Sequence, residues 1–254
     1  MILAFTKSPA RRLATVGLVA VLFSGCATPT VSPTPTPTAF PTVPPTIPPY
    51  TLGPTMSPDA CPTSTPASFS GKATVIMNTN FGAITIAVDG SLGPNAAGAF
   101  IALAKCGYYN NILFHRIVPG FIIQAGDGTY ARMPGATMDL KMGTGGPSWT
   151  VKDDKVTTTY KRGTIAMART SAADSGSSQF FIVLDDSAAT SLGDASANNY
   201  AIFGSVTKGM DVVDRIAAVP LGGDPYIDPS TGQAQPVSMP VEPVLITSTE
   251  VTEP

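Results

Sequence analysis

The chain's single histidine lies with an arginine, two phenylalanines and a glutamine inside fourteen positions, in "FHRIVPGFIIQAGD" at residues 114–127. This stretch can hold an apolar group and aim donors at a polar one. It offers no nucleophile paired with a base, no carboxylate pair and no set of metal ligands. His115 has only the cysteines at 26, 61 and 106 for company, spacings that match neither structural nor catalytic zinc sites. Neighbouring side chains on a strand face opposite ways, so a cleft-facing Arg116 turns His115 into the core or to the outer surface. That assigns His115 a structural role and argues against a serine-hydrolase triad. The run "GTGGPS", Gly143 to Ser148, lacks the lysine and following helix of a phosphate cradle and reads as a turn entering a strand. Neither a metal nor a cofactor is expected.

The elements that must position these residues are mostly strands. "ATVIMNTNFGAITIAV" is two β-rich runs around "TNFG", where Gly82 supplies the turn, and predicts a hairpin. A helix is expected from about Pro94 to Cys106, with proline in its first turn and Gly107 as its stop. Further strands are expected around 112–118, 121–125, 163–168, 178–184, 201–207 and 244–251. In "GMDVVDRIAAV", Met210, Val213 and Ile216 recur on one face of a second helix. Many short strands with two helices predict a β-barrel or sandwich with helices over its open ends.

The N-terminal quarter reads differently. A basic segment ending in "RR" precedes the apolar run Leu13–Phe23, too short to span a membrane but suited to a signal peptide over 1–25. "FSGC" resembles the lipobox of bacterial lipoproteins, which makes Cys26 the lipidated first residue of a product anchored to the outer face of a bacterial membrane. An ordinary signal peptide or an uncleaved anchor is the alternative. Residues 27–68 hold 13 of the 25 prolines and one charge, Asp59, so 26–68 is expected as a disordered Pro/Thr-rich linker. Roughly 40 such residues reach on the order of 100 Å. Residues 69–254 form the folded domain. Removing Lys7, Arg11 and Arg12 with the signal leaves 12 basic against 17 acidic residues, which excludes nucleic acid as a partner. Cys61 and Cys106 then either pair, as export permits, or remain free thiols.

Six segments in order, "FHRIVPGFIIQAGD", "GTGGP", "RGTIAMART", "SSQFFIVL", "YAIFGSV" and "GMDVVDRIAAVP", resemble the cyclophilins, a family of peptidyl-prolyl cis-trans isomerases, over most of residues 72–252. The resemblance implies a mainly β fold, a closed eight-stranded antiparallel barrel with two capping helices. It implies that Arg116 is the catalytic arginine and that Gln124 orients it and the substrate. Phe121, Ile122 and Phe181 match the apolar pocket for the proline ring, and Leu192 matches its leucine. Ala168 and Arg169 match the strand that pairs with the peptide backbone, Gln179 a polar wall residue, and Tyr200 a position where some members carry histidine. Two features depart from the family pattern. The pocket tryptophan is absent, since the sole tryptophan is Trp149 after "GTGGPS", and residues 128–142 form an extended loop. That loop either shapes access to the cleft or is neutral, and the low thermodynamic cost of insertion favours neutrality. The expected partners are proline-containing peptides and unfolded exported proteins, met by a monomer held at the membrane through its lipid. A binding module of the same fold and a structural envelope lipoprotein are the competing readings, and the proline-rich linker is a candidate inhibitor in cis.

Overall fold

The alternation of the first hairpin sets out the sheet. The computed structural model describes residues 46–56, 60–136, 141–193, 200–222 and 238–254, all within one compact unit, Pro41–Pro254. In it, β1 (Lys72–Thr79) and β2 (Gly82–Asp89) pair antiparallel, and Val75, Met77, Ile84 and Ile86 are wholly buried on one face. Gly82 takes φ +127°, and the Thr79 hydroxyl donates to its carbonyl at 2.6 Å, which closes the turn.

Helix α1 (Pro94–Lys105) follows, with Pro94 in its first turn. No side chain of its own N-cap serves the first turn; instead Asp154, from a distant loop, accepts from the Asn95 and Ala96 amides at 3.2 and 2.9 Å. Then come β3 (Ile112–Leu113), β4 (Arg116–Val118), β5 (Ile122–Ala125), β6 (Thr164–Met167), β7 (Phe180–Val183), α2 (Ala189–Leu192), β8 (Ile202–Lys208), α3 (Met210–Ala217), β9 (Leu221–Gly222), β10 (Met239–Pro240) and β11 (Leu245–Thr252). The short α2 is an addition to the two expected helices. It follows a single 3₁₀ turn at Asp186–Ala188, capped by the Asp185 carboxylate accepting from the Ser187 amide.

The expected closed eight-stranded barrel is corrected. Among the described residues, nine antiparallel strands form one curled sheet in the order β3-β11-β1-β2-β8-β6-β7-β5-β4, and its edge strands β3 and β4 do not pair with each other. The run 112–118, expected as one strand, breaks at Phe114–His115. Its first half pairs with β11, Leu113 opposite Leu245, and its second half with β5, Arg116 opposite Gln124. Both edges of the sheet therefore lie on one stretch of chain.

The expected linker also differs over residues 46–56 and 60–68, which strap the folded unit. Prolines cannot donate, but their carbonyls still accept. Pro62 O accepts from the Trp149 indole at 3.0 Å and Pro54 O from Asn110 Nδ2 at 3.2 Å. Asn111 brackets Gly53, accepting from its amide at 2.8 Å and donating to its carbonyl at 3.1 Å. Ile47 and Met56 pack on the main core, Tyr50 packs on Leu113, Ala131 and Leu245, and Cys61 is bonded to Cys106. The signal segment, Cys26 and linker residues 27–45 lie outside the described residues.

Candidate active site

Residues directly opposite in an antiparallel ladder share a face of the sheet. Arg116 lies opposite Gln124, Gln124 opposite Phe181, Phe181 opposite Ala166 and Ala166 opposite Ile202, so one transverse row runs across β4, β5, β7, β6 and β8. Val118, Ile122 and Val183 form a parallel row on the same face. Their chain neighbours Ile117, Ile123, Ile182 and Ile165 face the other way and are completely buried in the main core. The alternation thus divides the apolar residues into an inner core and a separate outer cluster.

The outer cluster brings together most of the expected pocket. Ile122, Phe181 and Leu192 are buried in it, and Phe121, Ala168 and Tyr200 pack against them half-buried. Leu192 arrives on α2, which the sequence did not reveal as a helix. The Tyr200 ring stands edge-on to Phe181 at 5.3 Å.

A chain of amides runs along the polar side of this cluster. Arg116 Nη1 donates to Gln124 Oε1 at 3.3 Å, and Gln124 Nε2 donates to Gln179 Oε1 at 2.9 Å. Gln179 Nε2 in turn donates to the carbonyls of Gly143 and Gly145, each at 2.9 Å. Burial pulls the pKa of Arg116 down and the neighbouring Tyr200 pulls it up; from so high a starting value the guanidinium stays charged at neutral pH. The result is a cation held by one nitrogen at the rim of an apolar surface.

Arg169 is not brought to this row by its side chain. Its Nη1 donates to Ala172 O at 3.0 Å and lies 3.5 Å from an Asp153 oxygen, so the guanidinium is turned onto the loop after β6. The preceding Ala168 amide donates to Gln179 O at 2.8 Å, which carries the main chain past the amide row. His115 is 4% exposed, and neither ring nitrogen has a hydrogen-bond partner among the described residues. Burial, aided by the Arg116 charge and opposed by Asp127, lowers its pKa to about 4.

Sequence reasoning missed Tyr160, and it read the Gly143–Gly146 turn without its contact to Gln179. The Tyr160 hydroxyl donates to Tyr200 O and accepts from Tyr200 N, both at 2.8 Å, and burial pushes its phenol up to about 12. Forty residues separate the pair, and no local pattern signals such a contact. Ala166 and Ile202 were recoverable in principle from alternation along β6 and β8.

A family profile described as "Cyclophilin type peptidyl-prolyl cis-trans isomerase/CLD" matches residues 74–251. A peptidyl-prolyl cis-trans isomerase of Acinetobacter baylyi is 38% identical over 70% of this chain and 84% of that protein. Peptidyl-prolyl cis-trans isomerase B of Escherichia coli K12 is 35% identical over 70% of this chain and 99% of its own. Among solved structures, a cyclophilin type peptidyl-prolyl cis-trans isomerase of Cryptosporidium parvum is similar in fold, with a TM-score of 0.55 at 24% identity, covering 72% of this chain and 99% of that one. Another structure titled for the same protein, in the presence of the dipeptide Ala-Pro, gives a TM-score of 0.54 at 25% identity, covering 71% and 99%.

Proposed function

We propose, for a chain that belongs to the cyclophilin-type peptidyl-prolyl cis-trans isomerase family and is an isomerase of that type, that Arg116 and the outer cluster turn X-Pro bonds over as one site. Rotation about a peptide bond crosses a barrier of about 18–20 kcal/mol because amide resonance is lost. Nothing is cleaved, so neither nucleophile nor general base is needed. In the twisted amide the proline nitrogen regains a lone pair, and a donor that bonds this state better than the planar one lowers the barrier. Arg116 supplies the donor. Phe121, Ile122, Phe181 and Leu192 hold the ring while the carbonyl side rotates, and Gln124 fixes the guanidinium. A gain of about 10⁵ in rate requires roughly 7 kcal/mol from these effects together.

The observation that carries this reading is the placement of Arg116, tethered through one nitrogen to Gln124 on the same sheet face as Phe181 and Ile122. The Ala-Pro dipeptide of the Cryptosporidium study supports a short X-Pro peptide as the test substrate. Exchange NMR on such a peptide should show fast cis-trans exchange with the protein and at least about tenfold slower exchange with folded Arg116→Ala. Near-normal exchange by that variant would remove Arg116 from the mechanism.

We also propose that the protein is exported, anchored at the outer face of a bacterial membrane through lipidated Cys26, and acts as a monomer on unfolded exported proteins. The "FSGC" segment and the Cys61–Cys106 bond support this, since disulfides persist in oxidising compartments. Metabolic labelling with a tagged fatty acid should mark the protein and spare Cys26→Ala; equal labelling of the two rejects the anchor.

A further inference from the structure

We propose that Asp127 is a positioning residue for Arg116, acting through the Gly143–Gly146 turn and the side-chain amides of Gln179 and Gln124. This rests on the assignment of Arg116 above. Asp127 is completely buried, and its carboxylate is saturated by main-chain donors. Oδ2 accepts from the Gly143 and Gly145 amides at 2.7 and 3.0 Å, and Oδ1 from those of Thr129 and Tyr130, both at 2.9 Å. The turn sits directly on the carboxylate. A Cβ at residue 145 would run into Asp127 Oδ1, and Gly143 has φ +88°. Beneath Gly143 lies the His115 ring, whose nitrogens have no partner at hydrogen-bond geometry among the described residues.

A turn held in this way presents the carbonyls of Gly143 and Gly145 together to Gln179 Nε2. Both N–H groups of Gln179 are then engaged, and its oxygen is the end that faces Gln124. That oxygen accepts from Gln124 Nε2, which leaves Gln124 Oε1 towards Arg116. A glutamine amide turned over would set its NH₂ against the guanidinium, donor against donor. The carboxylate at one end of the relay therefore decides which atom meets the arginine at the other.

Two variants cut the relay at different links. Asp127→Asn keeps the shape but turns an NH₂ towards one pair of the four amides. Gln179→Leu leaves the carboxylate and its bonds intact and removes the link beyond the turn. Exchange and titration NMR with the Ala-Pro peptide should show kcat lowered about tenfold in each folded variant, with peptide affinity within about twofold of wild type for Asp127→Asn, whose side chain is completely buried. The side-chain NH₂ resonances of Gln124 and the guanidinium resonances of Arg116 should shift in both. Combined with Arg116→Ala, neither should slow exchange further, because the relay acts only through that arginine.

Losses that multiply in the double variants, or unshifted Gln124 and Arg116 resonances in folded Gln179→Leu, would overturn the proposal. The Gln179 variant decides the matter if Asp127→Asn does not fold. Wild-type turnover by Arg116→Ala would instead overturn the assignment of Arg116, while the resonance shifts still report whether the relay exists.

Discussion

Arg116 is held by one of its nitrogens, and its remaining N–H groups are what a planar fork can offer a twisting amide. Lysine has no such fork. Arg116→Lys should therefore lose at least about tenfold in kcat/KM, although the charge is kept; a value near wild type would mean that charge alone suffices. His115, next along the chain, behaves in the opposite way. Its folded pKa of about 4 lies below the ordinary 6.5 because burial resists the charge. As pH falls from 6.5, the unfolded chain takes up the proton first, so stability present above that value is lost progressively down to about pH 4. The full loss is about 3 kcal/mol. The chain has one histidine, so His115→Phe isolates this contribution, and it sacrifices no hydrogen bond made by the ring among the described residues. Urea unfolding at pH 7.5 and 4.5 should show a smaller fall for the variant; parallel falls would mean that His115 does not titrate as its burial requires. At this scale the sequence was informative about burial: it assigned His115 a structural place, and His115 is buried, although it sits in the break between β3 and β4 rather than on a strand, so alternation is not what puts it there. The sequence could not show that Gln124, eight residues on from Arg116, lies opposite it, because register is a property of the paired strands.

The strap over 46–68 shows what composition leaves out. Its prolines forecast the absence of ladders, and its described residues contain no strand and no α-helix. Composition says nothing of proline carbonyls docking on asparagines or of Ile47, Tyr50 and Met56 finding apolar surface. The disulfide closes a separation of 45 residues, and a loop of that size is worth roughly 2–4 kcal/mol through the entropy it removes from the unfolded chain. Cys61→Ser with Cys106→Ser should lower the denaturant midpoint accordingly. It should leave turnover at 25 °C within about twofold, because Asn110, Asn111, Trp149 and Cys106 belong to neither the outer cluster nor the amide relay. Loss of activity in the folded double variant would show that the strap reaches the site after all. The break at Phe114–His115 was hidden for a related reason: the apolar pattern runs unbroken through 112–118, and only the partners on either side, β11 and β5, reveal two strands.

Across the whole molecule, one sheet serves two large apolar masses, besides the small cluster of Leu113, Ala131 and Leu245, and adjacent residues of β7 separate their roles. Ile182 points into the main core and Phe181 into the outer cluster, each almost wholly buried. Burial alone cannot distinguish them, which is why an apolar residue read from sequence could be core or pocket until its face was known. Both truncations should destabilise: Ile182→Ala by about 2–5 kcal/mol and Phe181→Ala by a comparable amount. Their effects on turnover should diverge. The cavity left by Ile182 opens on the side of the sheet away from Arg116, so activity per folded molecule should stay within a few-fold of wild type. Phe181→Ala removes a wall of the surface that receives the proline ring and should cost at least about tenfold in kcat/KM, with much of the loss in peptide affinity. Active-site titration against the folded fraction, measured in the same samples, separates the two effects. Equal losses of specific activity would mean that the sheet transmits core packing directly to the cleft and that the inner and outer masses are not independent. Divergence would mean that the alternation of side chains along four-residue strands is itself what keeps stability and catalysis apart.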